Sequence, residues 1–329
     1  IGAGALLGLS LWKIGGWSNM VQTISNMGPQ FEQHFNLLIS SQVDTPYPWS
    51  GMLMGLAIVL STAYFSSNQA VIKRVLGARS EWDAKASMLL AAFLKLLIPV
   101  LVLLPGLAAL ALYPELEKPD EAVPKLVREL LPPGLRGLVF AAFFAALMSS
   151  VDSYLNSATT IIISDGYKPA TRALYNADPD DRRCLLLSRV LTGALIVAAG
   201  FLAPYIDQFE TIYTAMQTLF SLFQGPTLAV LVLGVFWRRA NAWGGFAGLL
   251  LGVICSGSLS LVGDKLFPSD DPFLYVAFWS FVFALIVNVV VSLLTPPPSK
   301  DQIRGLVFGE VVRDEATQTL LKDRVQSGN

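Results

Sequence analysis

Histidine is nearly absent from this chain: His34 is the single imidazole in 329 residues. Catalytic triads, imidazole bases and His-rich metal centres therefore have almost no material. Cysteine is scarce too. Cys184 and Cys255 lie far apart in sequence with no metal-ligand spacing, so both read as packing residues. No glycine-rich loop ends in Lys-Ser or Lys-Thr, and no basic stretch is interleaved with aromatics, which argues against a phosphate loop and against a nucleic-acid partner. Charge is the largest shortfall: 14% of the residues are Asp, Glu, Lys or Arg, where a soluble domain carries about 25%. The first residues, "IGAGALLGLSLWK", hold neither an initial Met nor a basic n-region and do not read as a signal peptide. The apolar run before Lys13 is too short to cross a bilayer; it reads as the end of a helix begun upstream, in a fragment of a longer protein.

What fills the chain is oil. Hydrophobic residues make up 53%, and apolar runs near the ~20 residues needed to span a bilayer recur at about 51–65, 88–112, 137–163, 185–206, 211–236, 243–263 and 273–295. The expected architecture is an all-α membrane protein with seven full transmembrane helices and a partial one. The basic residues alternate with these spans. Lys73, Arg74, Arg79 and Lys85 follow the first, Lys168, Arg172, Arg182, Arg183 and Arg189 the third, and Arg238 and Arg239 the fifth, which places those loops in the cytoplasm.

A charge at mid-bilayer costs at least about 2.5–3.5 kcal/mol, so the exceptions stand out. Lys95 is the one basic residue deep in a span and Asp152 the one acid. Each fits either a polar cavity or a structural ion pair. The segment "FAALMSSVDSYLNSATTIIISD" (144–165) places Ser149, Ser150, Ser153 and Ser157 along one helical face. The Ala146 carbonyl and the Ser149 and Ser150 hydroxyls share one turn and could supply part of a sodium cage, although small hydroxyl residues also pack membrane helices. Ser61, Thr62, Tyr64, Ser66, Ser67, Asn68 and Gln69 accumulate at the end of the first span. They mark either unwound backbone at a cavity or a plain helix end. Gln217 interrupts the fifth span, and Gly244, Gly248 and Gly252 form a small-residue packing ridge.

The segment "NQAVIKRVLGARSEWDAKASMLLAAFLKLLIPVLVLLPG" (68–106) resembles the sodium/solute symporter family, in its sodium–glucose cotransporter branch. So do "FAALMSSVDSYLNSATTIIISDGY" (144–167), "GPTLAVLVLGVFWRRAN" (225–241) and "PPPSKDQIRGLVFG" (296–309). The resemblance implies the second half of a leucine-transporter-like inverted-repeat fold. Residues 1–12 would close the first repeat, 13–50 form an extracellular or periplasmic loop, 51–236 the second five-helix repeat, 237–295 two further helices, and 296–329 a cytoplasmic tail. It assigns Na⁺ as the coupling ion, bound by Ala146, Ser149 and Ser150, and implies no other cofactor. It assigns solute contacts to Lys95, Gln217, Tyr64 and Ser61. Two departures bear on the solute: Phe65 stands where the pattern usually has Trp, and Ser61 is shorter than the usual Asn or Thr. The expected function is sodium-coupled symport of a sugar or sugar-like solute across the plasma (inner) membrane, with no enzymatic activity. A symporter of a carboxylate or amino acid, and a solute sensor on the same fold, are the alternatives. A Ser–Lys hydrolase has no nucleophile motif to support it. Asp152 is expected to pair with a neighbouring helix or to join a second cation site.

Overall fold

In hydrocarbon no water serves backbone N–H and C=O groups, so an apolar run must satisfy them within itself, as a helix. The computed structural model describes residues 2–28, 31, 33–36, 38–39, 47–116, 118–177, 179–209, 211–267, 272–303 and 305–308. The helices are α1 (Gly2–Ile14), α2 (Trp17–Ser25), α3 (Trp49–Ser67), α4 (Gln69–Leu76), α5 (Glu81–Leu112), α6 (Ala122–Leu130), α7 (Pro133–Tyr175), α8 (Asp181–Leu202), α9 (Ile212–Phe236), α10 (Ala242–Leu266), α11 (Phe273–Leu294) and the short α12 (Lys300–Ile303). Among the described residues seven helices are long and apolar enough to cross a membrane, and they fall on the seven apolar runs of the sequence. The stretch 13–50, expected as a loop, carries the whole of α2, set off from α1 by Gly15 and Gly16 at φ 89 and 98. The tail expected over 296–329 is described only as far as Phe308.

The chain divides into two compact units, residues 1–37 with 69–216 and residues 38–68 with 217–329. In the first, α1 lies along the C-terminal half of α5, and Leu6, Ala109, Tyr113, Leu126, Val127 and Leu131 form a buried core with α6. Tyr113 sits at the polar rim of that core. Lys13 Nζ donates to its hydroxyl at 3.3 Å, and the Lys13 and Lys125 ammonium groups each lie 5.5 Å from its ring centre. Burial pushes the Tyr113 phenol up, and its hydrogen bond holds the exposed Glu129 carboxyl below the usual carboxylate range. Any stabilisation from Glu129 is therefore present at neutral pH and lost as pH falls through its lowered value.

In the second unit α11 is the hub. Gly55 of α3 meets the Leu274 backbone, Gly225 of α9 meets Ala277 and Ser280, and the Gly244, Gly248 and Gly252 ridge of α10 meets Ser292, Asn288 and Ala284. Without a hydrophobic drive between helices in lipid, such close backbone approach is what holds them together. Val59, Leu60, Ala63, Leu228, Phe273, Leu274 and Ala277 form the shared core.

Asn241 ties the end of this bundle. Its Oδ1 accepts from the Gly244 N–H at 2.9 Å and so caps α10, while its Nδ2 donates to Thr295 Oγ1 at 2.7 Å and to the Pro296 carbonyl at 3.0 Å. Asn241→Ala is expected to lower the unfolding free energy by about 1–2 kcal/mol, from one lost cap and the lost interhelical bonds. Asn241→Asp, which keeps the cap, should lose less; a thermal melt of the purified full-length protein in detergent compares the two.

Candidate functional site

The oxygens of α7 divide into two groups. A hydroxyl one turn along a helix can donate back to the carbonyl four residues earlier, which lets it sit in oil without a partner elsewhere. Ser153 does so to the Ser149 carbonyl at 2.9 Å, Ser157 to Ser153 at 2.8 Å, Thr159 to Leu155 at 2.9 Å and Thr160 to Asn156 at 2.6 Å. Ser149 and Ser150 do not: among the described residues their hydroxyls have no hydrogen-bond partner. Both are exposed in this chain, one turn from the Ala146 carbonyl, whose second lone pair the helix ladder leaves open.

Among the described residues no group of three His, Cys, Asp or Glu side chains could hold a metal ion. A cation here would meet neutral oxygens, the donor set a hard monovalent ion accepts. Three oxygens are half a shell, so the remaining ligands would come from elsewhere. Arg74 of α4 donates to Ser153 Oγ at 3.2 Å, which sets a guanidinium about one turn from the three oxygens and raises the local potential against a cation.

Lys95 owes its position to a proline. Pro99 cannot donate to the carbonyl four residues earlier, and its ring crowds that carbonyl, which belongs to Lys95. The helix answers with a tightened turn at Leu96, whose N–H bonds to Phe93 three residues back at 3.1 Å. Lys95 thus stands at the irregular turn of α5. Asp152 is exposed and, among the described residues, has neither a hydrogen bond nor an ion pair, so the expected pairing with a neighbouring helix is not formed by them.

The second unit holds Ser61, Tyr64 and Gln217. Residues 52–60 of α3 are wound as a π-helix, a feature frequent beside functional sites, and α-helical winding resumes at Ser61. The polar residues 61–67 stay helical, and the chain opens only at Asn68, at ψ 110. Of the two readings left open for this stretch, unwound backbone is confined to that one residue. The Tyr64 ring lies 6.5 Å from Phe220 and 5.5 Å from Phe65, nearly perpendicular to the latter. Phe220 is three residues after Gln217 and so shares its face of α9; Tyr64 is seated against the turn of α9 that carries Gln217. Ala146, Ser149, Ser150 and Lys95 all belong to the first unit. Sequence reasoning gave Pro99 and Phe220 no role at the site. The four-residue interval from Lys95 to Pro99 was a legible signal; the Tyr64–Phe220 approach left none.

The profile of the sodium:solute symporter family matches residues 1–252. The mouse (Mus musculus) sodium/myo-inositol cotransporter is 30% identical over 362 aligned residues, which cover 94% of this chain and 49% of the mouse protein. Sodium/myo-inositol cotransporter 2 of rabbit (Oryctolagus cuniculus) is 31% identical over 355 residues, 94% of this chain and 51% of its own length. The chain spans about half the length of these relatives. With seven membrane-spanning helices and a family match over three quarters of its residues, it is an integral membrane protein that belongs to the sodium:solute symporter family.

Proposed function

We propose that this chain is the C-terminal part of a sodium-coupled symporter for a neutral, hydroxyl-rich solute, a sugar or a cyclic polyol. The observation that carries the reading is the pair of uncommitted hydroxyls, Ser149 and Ser150, on a helix whose neighbouring hydroxyls bond back to their own backbone. Na⁺ would bind them and the Ala146 carbonyl. It would complete its shell with oxygens from outside this chain, tying α7 to the missing part and favouring the conformation that binds solute. A gradient drives net transport because the ion binds one state better than the other. The fold we assign is the second half of a leucine-transporter-like inverted repeat, with 51–236 as the five-helix repeat and the plasma membrane as its place.

Lys95 is all donor, Gln217 both donor and acceptor, and Tyr64 an aromatic face with a hydroxyl. Each suits a hydroxyl-bearing solute. The relatives named for myo-inositol, together with Phe65 and the short Ser61, favour a polyol over glucose.

The test is uptake of labelled myo-inositol by the full-length protein in proteoliposomes, with and without a sodium gradient. Lys95→Ala is expected to raise KM for the polyol about tenfold, the worth of one charge-assisted hydrogen bond. Polyols and hexoses should compete with uptake, whereas competition by acids alone would assign Lys95 to a carboxylate or amino-acid solute. Binding without uptake in the full-length protein would make it a sensor.

A further inference from the structure

We propose a lipid site at the junction of α9, α10 and α11, separate from every residue assigned to transport: a cleft that takes the ester and phosphate region of an anionic glycerophospholipid. A cavity of about 480 Å³ opens there, within the second unit, under the strap that follows α11. That is the size range of small-ligand pockets. Its apolar wall comes from Val230, Pro296, Pro297, Ile303, Leu306 and Val307. The strap is fastened over it: the Phe308 N–H bonds to the Val235 carbonyl at 2.7 Å, and Arg239 Nη2 bonds to the Thr295 carbonyl at 3.0 Å.

The polar side chains of the wall are what define the ligand. Asn241 is fully used by its cap and clamp bonds. Asn288 is only 1% exposed, and its Oδ1 is taken by Ser292 Oγ at 3.2 Å, while its amide nitrogen has no partner among the described residues. Gln302 spends its Oε1 on the Ser299 N–H, leaving its nitrogen over. Trp237 and Trp243 add two indole N–H groups without partners among the described residues. Every side-chain polar group left over is thus a donor, so the complement is a cluster of acceptors next to hydrocarbon. Ester and phosphate oxygens on an acyl chain match it; a sterol, with one hydroxyl, does not.

Position and charge agree with this. The cleft lies where the span Ile212–Phe236 ends and Ala242–Gly263 begins, at a membrane–water boundary, and it holds two tryptophans as such boundaries commonly do. Arg238 and Arg239 sit in that turn, and Arg239 keeps a buried Nη1 with no hydrogen bond among the described residues. The Arg239 guanidinium, next in sequence to the lining residue Ala240 and with that Nη1 unspent, favours an anionic headgroup.

Gly234 provides a clean test. It lines the cleft, and nothing lies within 4 Å of where its Cβ would stand, so Gly234→Phe introduces a ring into the cavity from an uncrowded Cβ. The experiment is native mass spectrometry of the delipidated full-length protein titrated with phosphatidylglycerol, phosphatidylcholine or glycerol 3-phosphate. The wild type is expected to retain one phosphatidylglycerol per chain at least tenfold more tightly than phosphatidylcholine. Gly234→Phe should lose that preference with an unchanged melting temperature, and Asn288→Leu should weaken it. Equal retention by Gly234→Phe, equal binding of phosphatidylcholine, binding of glycerol 3-phosphate as tight as that of the lipid, or occupancy by detergent alone would each overturn the assignment.

Discussion

Gly225→Val is expected to keep α9 from closing on α11 and to remove most of the folded protein. A Cβ at position 225 would stand 2.5 Å from the Ala277 carbonyl oxygen and 2.5 Å from Ser280 Oγ, and 3.1 Å from the Phe281 nitrogen. Two of these are backbone atoms of a helix held on its other sides by α3 and α10, so none of them gives way cheaply. Overpacking of a close-packed site costs about 1–3 kcal/mol, and more where backbone must move. Size-exclusion yield and the melting temperature of the full-length protein measure the loss. Gly234→Val, nine residues further along the same helix and facing open space, is the matched control and should melt like the wild type. Comparable losses in both would mean that valine in the helix, rather than the α9–α11 approach, is what the bundle cannot tolerate.

Ser150→Ala has the largest expected effect on function. If its hydroxyl is one of a handful of sodium ligands, removing it should raise the sodium concentration for half-maximal uptake at least tenfold, equivalent to about 1.4 kcal/mol. Ser149→Ala should behave alike. Ser153→Ala and Ser157→Ala lie on the same face of α7 and remove hydroxyls bonded to their own helix, at 2.9 and 2.8 Å, so each should shift sodium dependence by less than a factor of three. Sodium titrations of uptake in proteoliposomes separate the two groups. Equal shifts in all four variants would show that the whole stripe serves helix packing and that Ser149 and Ser150 are not ligands.

Much of the candidate site was legible in the sequence because membrane burial makes polarity expensive. Lys95, Gln217 and the oxygens of α7 stand out by cost alone. The polar end of α3 was legible as composition but not as conformation: seven polar positions do not say whether backbone stays wound. The structure keeps residues 61–67 helical and opens the chain only at Asn68. Spacing put Ser149 and Ser150 within a turn of Ala146, but it did not say that their hydroxyls, unlike those of Ser153 and Ser157 on the same face, stay unbonded to their own helix. The separation lies in hydroxyl rotamers, which a periodicity does not contain.

By itself the sequence determined the number and place of the spans, because bilayer thickness sets the length of an apolar run and unsatisfied backbone forbids any other structure within it. It also determined the break beside Lys95, because a missing N–H at Pro99 acts within one chain segment. Only the tertiary structure decided that Gly55, Gly225 and the glycine ridge meet on α11, that Phe220 seats Tyr64, and that Asn288 comes to line a cleft. Each of these is a distance between two helices, and a distance of that kind is set by how side chains interlock across the gap, which no single segment carries.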